Sequence, residues 1–539
     1  MANILICDKL EAVGIQRLEQ MGIQVDNRPG LTGEQLVSAL QNADAAIVRS
    51  GTRITASLLE NPGKLRAIAR AGVGVDNIDV PAATRKGIVV MNTPGGNTIS
   101  AAEHTIALLL SLARHIPAAD AGMKQGKWER NRYLGTQITG KTLGIIGLGR
   151  IGREVATRAA GLQMKVIGYD PFMSPDRVNQ LGITGFSKLS DMLPHCDFLT
   201  VHVPMTEQTN GLIGEKELKT LPNHCRILNV ARGGIIDESA LIEALNTGRI
   251  AGAALDVFTH EPLPGTDPLI GTKNLVLTPH LGASTAEAQE AVALEAADLL
   301  IDFLQKGIVQ CAVNMSSIQR TELEEIRYFI DLARRLGLLQ AQLADGPIQR
   351  AELHYRGDLY KKNTKMLTAA FAAGLLEHSL HESVNIVNAE MLAKERGIEI
   401  VESGNVHKGD FANLMHTEVY SSSGSKRAAA TLFGNQYIRL VQLDDFRLES
   451  YLDGTLLTFV HQDVPGLIGY VGTIFGKNNV NIASMNLGRQ TPGGEAVAVL
   501  NLDCLPPESA LQEVKKHEKI RSLQVLKLPP SGELPFWLA

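Results

Sequence analysis

The sequence predicts an α/β protein in which two parallel sheets covered by helices are followed by an α+β region and a small sheet domain. Three observations carry this prediction. Short β-branched runs alternate with helical stretches over more than half of the chain, the pattern of parallel sheets flanked by helices. One of these runs leads directly into a glycine-rich turn at Gly147. Nearer the carboxyl end, a separate stretch reads strand, helix, strand, strand, helix, strand.

The first predicted domain is a parallel sheet. Its strand-like runs occupy 3–7, 45–49, 67–69 and 88–92. A long amphipathic helix follows, for which Thr98 or Ser100 is the predicted N-cap and Glu103 an acidic residue of the first turn. We expect this helix to cross to a second domain.

The second predicted domain opens with a βαβ unit. A strand at 141–146 is followed by a glycine-rich turn, a helix and a strand at 165–169. Further strand-like runs occupy 198–202, 226–229, 252–256 and 275–277. An alanine-rich helix over 284–306 is expected to return the chain to the first domain, which would then be split in sequence.

Two more domains follow. A helix over 321–343, a strand at 351–354, an apolar helix near 367–378 and short strands up to Tyr451 indicate a separate α+β domain. Residues 456–528 have the ferredoxin-like order of elements. The proline-rich tail is either mobile or packed on a neighbour. The predicted domains are 1–98 with 285–315, 99–284, 316–452 and 453–528, followed by the tail 529–539.

The composition excludes several classes of protein. Of the 539 residues, 44% are hydrophobic and 20% charged, which is typical of soluble globular proteins. The formal net charge is -5 without a basic block, which argues against nucleic-acid partners. The longest apolar helical run, 106–113, is far shorter than the ~20 residues of a membrane span. Five scattered cysteines, and no signal-peptide pattern over 1–8, favour a reducing, cytoplasmic location.

The glycine-rich turn carries the first chemical signal. Gly147, Gly149 and Gly152 form a G-x-G-x-x-G between a strand and a helix, where the backbone can approach a pyrophosphate at the helix N-terminus. Asp170, at the end of the next strand, can hydrogen-bond both ribose hydroxyls and would repel a 2′-phosphate. The pattern predicts a Rossmann domain that binds NAD rather than NADP. The plainer alternative is a structural turn with a surface aspartate.

A dinucleotide site implies hydride transfer, which needs an acid/base and a cation for the substrate. Arg232, Glu261 and His280 each lie just after a strand-like run, where catalytic groups collect in a parallel sheet. Taken singly, they could be a surface ion-pair residue, a loop carboxylate and one of fourteen histidines. Their joint placement favours a catalytic site.

These motifs resemble the D-isomer-specific 2-hydroxyacid dehydrogenase family, which shares the GLGRIG turn, the ARGG segment, the Glu-Pro and the Pro-His. The resemblance implies that His280 is the general acid/base, that Glu261 stabilises its imidazolium, and that Arg232 binds the substrate carboxylate and C2 oxygen. It also implies contacts to NAD at Val73, Gly147, Gly149, Arg150, Ile151, Gly152, Asp170, Val203, Val230, Ala231, Arg232, Asp256, His280, Leu281, Gly282 and Ala283.

Other segments are similar to the phosphoglycerate-oxidising branch of that family, in its long form with an ACT domain. They include 48–50, 70–76, 91–94 and 280–289. The resemblance implies oxidation of 3-phospho-D-glycerate to 3-phosphohydroxypyruvate, the first step of phosphorylated L-serine biosynthesis. Arginine forks and a hydroxyl would bind the phosphate, unless these arginines are ordinary solvated residues. The predicted substrate contacts are Arg49, Ser50, Arg70, Gly72, Gly74 and Gln289.

The last domain resembles an ACT domain over 461–467 and 478–482. ACT domains bind amino acids between two copies, which implies a homodimer or homotetramer and an effector, L-serine, at His461, Asp463 and Asn481. A turn and a helix cap are the structural alternative. The preceding domain resembles the intervening domain of long-form members, where an anion binds. The candidate residues there are Lys426, Arg427 and Arg439.

Two other functions stay open. A hydroxypyruvate or glyoxylate reductase would share the catalytic trio but would be indifferent to a substrate phosphate. An NAD(H)-sensing regulatory protein would bind the cofactor without turnover. The ACT domain argues against the regulator, because end-product sensing suits a committed biosynthetic step. No metal is expected.

Overall fold

A computed structural model describes residues 2–318, 320–377, 380, 383–434 and 436–535. These residues form four sheets of five, seven, six and four strands. The first two sheets are parallel, the third is mixed and the fourth is antiparallel. The predicted fold class is confirmed.

The first unit is a parallel sheet with helices on its faces. Its elements are β1 (Asn3–Ile6), α1 (Ala12–Gln20), β2 (Gln24–Asn27), α2 (Gly33–Asn42), β3 (Ala45–Val48), β4 (Ala67–Arg70), α3 (Val80–Arg85) and β5 (Val89–Asn92). The order β2-β1-β3-β4-β5 is that of flavodoxin-like sheets. Every residue of β3 is buried, as expected for an apolar run covered on both faces.

The second unit is a seven-stranded parallel sheet. Its elements are α4 (Thr98–Arg114), α5 (Ile116–Lys124), β6 (Thr142–Ile146), α6 (Arg150–Gly161), β7 (Lys165–Tyr169), α7 (Pro175–Asn179), β8 (Thr184–Phe186), α8 (Leu189–Met192), β9 (Phe198–Val201), α9 (Glu215–Thr220), β10 (Arg226–Asn229), α10 (Glu238–Asn246), β11 (Gly252–Leu255), α11 (Pro268–Gly271) and β12 (Leu275–Leu277). The order β12-β11-β10-β9-β6-β7-β8 contains the Rossmann arrangement and one added strand.

Helix α4 crosses between the two units. It begins at Thr98, and its N-cap is Asn97. The predicted N-cap at Thr98 or Ser100 is wrong, because Thr98 is already helical and its hydroxyl donates to Pro94 O. Glu103 therefore lies beyond the first turn.

Helix α12 (Ala286–Lys306) brings the chain back to the first unit. It packs along α1, where Gly14 lies so close that a Cβ would come 2.8 Å from Ala293 O. Thr285 accepts from Ala288 N at its start, and Gly307 ends it in the left-handed conformation.

The third unit has a mixed sheet with helices on one face. Its elements are α13 (Arg320–Leu343), β13 (Ile348–Gly357), α14 (Thr364–Leu376), α15 (Ala389–Glu395), β14 (Glu399–Asn405), β15 (Asn413–Ser421), β16 (Gly424–Phe433), β17 (Tyr437–Leu443) and β18 (Phe446–Tyr451). The strand order is β14-β13-β15-β16-β17-β18. His378, at the end of one predicted helix, lies outside the described residues.

The fourth unit has the predicted ferredoxin-like order. Its elements are β19 (Thr455–Gln462), α16 (Leu467–Lys477), β20 (Ile482–Arg489), β21 (Glu495–Leu502), α17 (Glu508–Lys515) and β22 (Ile520–Lys527). The strands pair as β20-β21-β19-β22. The described part of the tail, up to residue 535, packs against α13. There the Arg335 guanidinium donates hydrogen bonds to three backbone carbonyl groups of the tail.

Among the described residues, no helix combines the length and the apolar character needed to cross a membrane.

Candidate active site

A cavity of about 680 Å³ lies between the first and second units, at the carboxyl ends of both parallel sheets. This is where ligands bind in open α/β sheets. Of the predicted cofactor, substrate and catalytic residues, only Gly147, Gly152, Asp170 and Leu281 are not among its lining residues. The cavity therefore brings together residues that are far apart in sequence.

An imidazole and a carboxylate are paired at one side of the cavity. His280 Nδ1 lies 2.6 Å from Glu261 Oε2, and Phe258 N donates to the other carboxylate oxygen at 3.0 Å. Burial alone would raise the pKa of Glu261, but these hydrogen bonds hold it below its ordinary value. The carboxylate therefore remains ionised and fixes the ring orientation, which leaves Nε2 of His280 for chemistry.

Arg232 reaches across the cavity towards the first unit. Its Nε donates to Asp76 Oδ2 at 2.9 Å and its Nη1 to Ala231 O at 2.7 Å. A Cβ at Gly74 would overlap with Arg232 Nη2, so the absence of a side chain there makes room for the guanidinium. Gly74 was predicted as a substrate contact, and its role here is to leave space for the Arg232 side chain.

Arg70, at the end of β4, has no such partners. Its guanidinium donates no hydrogen bond to any described side chain or carbonyl, and its Nε is buried. Burial and the neighbouring Arg232 and Arg49 charges lower the pKa of Arg70 to about 10. A Cβ at Gly72 would overlap with Arg70 Nη1. Arg232 is paired with Asp76, and Arg49 donates to Lys9 O at 3.0 Å. Arg70 is therefore the member of this positively charged group that lacks a partner among the described residues.

Arg49 is held by a framework that the sequence analysis missed. Asp8 Oδ2 accepts from Arg49 N at 2.5 Å, and Asn77 Nδ2 donates to Arg49 O at 2.7 Å. Asp8 lies two residues after the end of β1, so the rule that polar residues at strand ends gather at one edge of the sheet could have found it. Ser50 lines the cavity beside Arg49.

The glycine-rich turn has the clearances that a dinucleotide requires. Gly147 has φ +90°, and a Cβ there would come 2.6 Å from His202 O. A Cβ at Gly149 would meet no atom within 4 Å, so this residue opens onto free space at the start of α6. A Cβ at Gly152 would overlap with Gly147 O, where helix and turn pack. These residues fit a bound pyrophosphate.

Asp170 directly follows β7, and backbone amides hold its carboxylate. Leu148 N donates to Oδ2 at 2.8 Å and Phe172 N donates to Oδ1 at 2.9 Å. The charge is therefore fixed next to the glycine-rich turn, where it would repel a 2′-phosphate. Leu281, in contrast, is 38% exposed at the rim.

Asp256, at the end of β11, is completely buried. Its carboxylate accepts from Thr278 Oγ1 at 2.6 Å, and from Leu281 N and Gly282 N at 2.8 Å. The predicted cofactor residue is thus also the anchor of the loop that carries His280. His280 itself has φ +56°, a conformation that this anchored loop imposes.

At two further predicted residues, Gln289 and Val73, a side-chain amide donates to a backbone carbonyl at the cavity. Gln289 Nε2 donates to Ala283 O at 2.6 Å. Val73 O accepts from Asn92 Nδ2. His202 also lines the cavity and was not predicted; burial lowers its pKa to about 4, so it is neutral at physiological pH.

The predicted effector residues lie in the fourth unit. His461 is 3% exposed, its Nδ1 is 2.9 Å from Gln462 O, and its Nε2 has no partner among the described residues. Asp463 accepts from Arg489 at 2.8 Å and from Gly493 N at 3.1 Å. Asn481 donates to Asp503 at 2.7 Å.

The candidate anion residues of the third unit are engaged in local contacts. Lys426 pairs with Asp444 at 3.0 Å and Arg427 with Asp445 at 3.0 Å. The Arg439 guanidinium lies 3.9 Å from the centre of the Tyr451 ring. Nowhere in the described ranges do three or more His, Cys, Asp or Glu side chains form a group able to hold a metal ion.

Comparison with known proteins agrees with this chemistry. The family model described as D-isomer specific 2-hydroxyacid dehydrogenase, NAD binding domain, matches residues 106–282. A glyoxylate reductase from Paecilomyes thermophila superimposes with a TM-score of 0.54 at 28% identity, covering 58% of this chain and 98% of that one. The fold and the site define an NAD-dependent dehydrogenase of the D-2-hydroxyacid class.

Two more family models narrow the class: the D-3-phosphoglycerate dehydrogenase intervening domain matches 325–444 and the ACT domain matches 455–519. The D-3-phosphoglycerate dehydrogenase of Synechocystis sp. is 43% identical over 98% of this chain and 95% of its own length, and that of Methanocaldococcus jannaschii is 40% identical over 98% and 100%. The chain belongs to the D-3-phosphoglycerate dehydrogenase family, and the resemblance stated from the sequence is confirmed.

Proposed function

We propose that this protein oxidises 3-phospho-D-glycerate to 3-phosphohydroxypyruvate with NAD, the first step of phosphorylated L-serine biosynthesis. The observation that carries the proposal is the group of three positive charges, Arg70, Arg49 and Arg232, beside the His280–Glu261 pair, in which Arg70 has no partner among the described residues. A phosphorylated 2-hydroxy acid brings a carboxylate and a phosphate, so it supplies the anionic oxygens that Arg70 lacks and that the two neighbouring arginines can also bind. The family relationship supports the same substrate.

The proposed binding mode assigns one anion to each side of the cavity. Arg232 binds the carboxylate and the C2 oxygen, in place of its contact with Asp76. Arg70 and Arg49, with the Ser50 hydroxyl, bind the phosphate. Bidentate arginine contacts fix orientation as well as charge, so the hydroxyl is directed towards His280.

His280 acts as the general base in the oxidation. Its Nε2 takes the proton of the C2 hydroxyl while the C2 hydrogen leaves as a hydride. The resulting imidazolium donates Nδ1–H to the ionised Glu261 carboxylate, which stabilises it. In the reverse reduction, the imidazolium returns the proton to the developing alkoxide, and Arg232 stabilises the charge on that oxygen. Bound NAD supplies the hydride acceptor, and the residues proposed to hold it are those of the glycine-rich turn and Asp170.

The organisation proposed for the chain is a split substrate-binding domain (1–98 and 285–315), a Rossmann domain (99–284), an intervening domain (316–452), an ACT domain (453–528) and a tail (529–539). We propose a cytoplasmic homodimer or homotetramer that L-serine regulates through the ACT domain. The Nε2 of His461, which lacks a partner in the part of the chain that the structure describes, and the nearby carboxylate of Asp463 support a polar effector there. Asn481 completes the proposed set.

The test compares substrates that differ only in the phosphate. NADH oxidation would be measured with 3-phosphohydroxypyruvate and with hydroxypyruvate, in the wild type and in Arg49→Ala, with and without L-serine. We expect a strong preference for the phosphorylated substrate that collapses in Arg49→Ala. Arg53→Ala is the matched control, because Arg53 is exposed and does not line the cavity.

Three outcomes discriminate among the candidate functions. Equal wild-type rates on both substrates would favour a hydroxypyruvate or glyoxylate reductase. Tight NADH binding without turnover on either would favour a regulatory protein. Inhibition by L-serine that is lost in Asp463→Ala would support the proposed effector site, and insensitivity of the wild type would contradict it.

A further inference from the structure

A histidine on the crossing helix touches the anchor of the catalytic loop. His104 lies seven residues after the N-cap of α4, about two helical turns into the helix. Its Nε2 is 3.1 Å from Asp256 Oδ1 and 3.2 Å from Thr278 Oγ1. The side chain is 19% exposed, so the contact is largely shielded from water. None of the motifs that predict the catalytic site includes this residue.

The proton positions in this contact follow from the acceptor. Asp256 is a carboxylate that can only accept, so both His104 Nε2–H and the Thr278 hydroxyl donate to its Oδ1. His104 therefore carries its proton on Nε2. Burial would raise the pKa of Asp256, but the hydrogen bond from His104 and those from Thr278 and Leu281 hold it below its ordinary value.

The ionised carboxylate in turn fixes the loop that contains His280. Oδ1 accepts from Leu281 N and Oδ2 from Gly282 N, the two amides that directly follow His280. The Asp256 carbonyl also accepts from His280 N at 2.9 Å. The carboxylate of Asp256 therefore holds the backbone that follows His280, and its main-chain carbonyl holds the amide of His280 itself.

We propose that His104 is a positioning residue for the reaction: it orients Asp256, and through Asp256 it holds the loop that presents His280 to the substrate. The inference rests on the proposed function for the identity of the base, but the contact itself does not depend on the substrate. Because α4 is also the helix that crosses between the two units, His104 fixes the catalytic loop relative to the element about which the units are joined.

The test uses two amides of different length at position 104. The side-chain nitrogen of Gln can occupy the place of His Nε2, whereas that of Asn corresponds to Nδ1 and cannot reach Asp256. Both replacements are polar and uncharged, so they differ mainly in the hydrogen bond to Asp256. Glu103→Gln is the control on the same helix, since Glu103 is exposed and, among the described residues, its polar partner is Arg158 at 3.5 Å.

Three readouts would be made on the full chain: hydrogen exchange of a peptide covering residues 278–283 without cofactor, NADH binding by fluorescence, and turnover. In His104→Asn we expect exchange at Leu281 and Gly282 to quicken by roughly tenfold or more, because their acceptor is no longer oriented. We expect NADH affinity and kcat/KM to fall by roughly ten- to a hundredfold. His104→Gln should stay within about threefold of the wild type.

The proposal is overturned if His104→Asn matches the wild type in exchange and in NADH binding, or if Asn and Gln are equally impaired with faster exchange over the whole chain, which would indicate packing alone. A wild type without turnover on the phosphorylated substrate would instead contradict the proposed function. The exchange measurement would still decide whether His104 holds the loop.

Discussion

Two largely buried arginines of this protein have opposite surroundings. Arg335, at the junction of the third and fourth units, is 1% exposed and uses all five of its N–H groups. Its Nε donates to Asp331 at 2.8 Å, and Nη1 and Nη2 donate to four carbonyl groups between 2.6 and 3.2 Å. Arg70 donates to none of the described residues and faces the positive charges of Arg232 and Arg49.

The difference indicates that Arg335 is a structural residue and that Arg70 is a ligand-binding residue. A buried charge is tolerated when its hydrogen bonds are satisfied internally, as at Arg335. A largely buried arginine beside like charges and without an internal partner, as at Arg70, opposes folding and is retained where an anionic ligand completes the site. Arg335 should therefore contribute to stability and Arg70 to substrate binding.

The largest expected effect is on stability, in Arg335→Met. The substitution leaves Asp331 and four carbonyl groups without their donor, so we expect the free energy of unfolding to fall by about 3–5 kcal/mol. Urea denaturation followed by fluorescence and by circular dichroism measures it. Arg447→Met is the control, because Arg447 is 88% exposed and its pairing with Asp410 should contribute little. If the free energy of unfolding fell by less than about 1 kcal/mol in Arg335→Met, Arg335 would not be the structural arginine that the comparison makes it.

The next effect is on catalysis, in Arg70→Met. We expect kcat/KM for 3-phosphohydroxypyruvate to fall by roughly a hundred- to a thousandfold, because a charge-assisted contact to the substrate phosphate is lost. The rate with hydroxypyruvate should change far less. Arg53→Met serves as the exposed control. An equal loss of kcat/KM on both substrates would mean that Arg70 does not bind the substrate phosphate.

The third prediction tests whether Glu261, another charged residue of the cavity, also contributes to catalysis rather than to stability. Glu261→Gln keeps the shape beside His280 but removes the charge that stabilises the imidazolium, so we expect kcat to fall by roughly ten- to a hundredfold. Thermal unfolding at neutral pH should show a small shift, since Glu261 is partly exposed. A large stability loss with normal kcat would assign Glu261 to the structure instead.

The smallest effect concerns acid stability. The folded protein holds the pKa of Glu261 below its value of 4.5 in the unfolded chain, so the ionised carboxylate contributes stability above that pH. This contribution is lost as the pH falls through the lower, folded value. The difference in unfolding free energy between wild type and Glu261→Gln should therefore shrink below about pH 4.5. A difference that is constant with pH would contradict the shift.

The sequence predicted those parts of the molecule that depend on local pattern. Most strands of both parallel sheets were found because buried apolar runs between turns are distinctive, and Lys165–Tyr169 and Arg226–Asn229 matched residue for residue. The edge strands β2 and β8 were not predicted, because they are short and partly exposed and so lack a buried apolar run. The N-cap of α4 was predicted wrongly, since a threonine hydroxyl can bond to a preceding carbonyl as readily as it caps a helix. Helix ends of this kind depend on the neighbouring loop.

The candidate site was predicted to the extent that its residues belong to motifs. Arg232, Glu261 and His280 each follow a strand, and the structure brings them to one cavity. His104 could not be predicted, because its partner Asp256 is 152 residues away and a histidine inside an amphipathic helix carries no pattern of its own. The packing of the tail against Arg335 likewise depends on contacts across nearly two hundred residues.

The most direct test of the account is the stability of Arg70→Met with and without 3-phosphoglycerate. The unfolding temperature would be measured for wild type and variant, each with NADH bound. We predict that the variant without the substrate is as stable as the wild type, or slightly more so because like charges no longer repel, and that it loses most of the stabilisation that the substrate gives the wild type. A variant that is strongly destabilised without the substrate, and is stabilised by it as much as the wild type, would contradict the claim that Arg70 is reserved for the substrate.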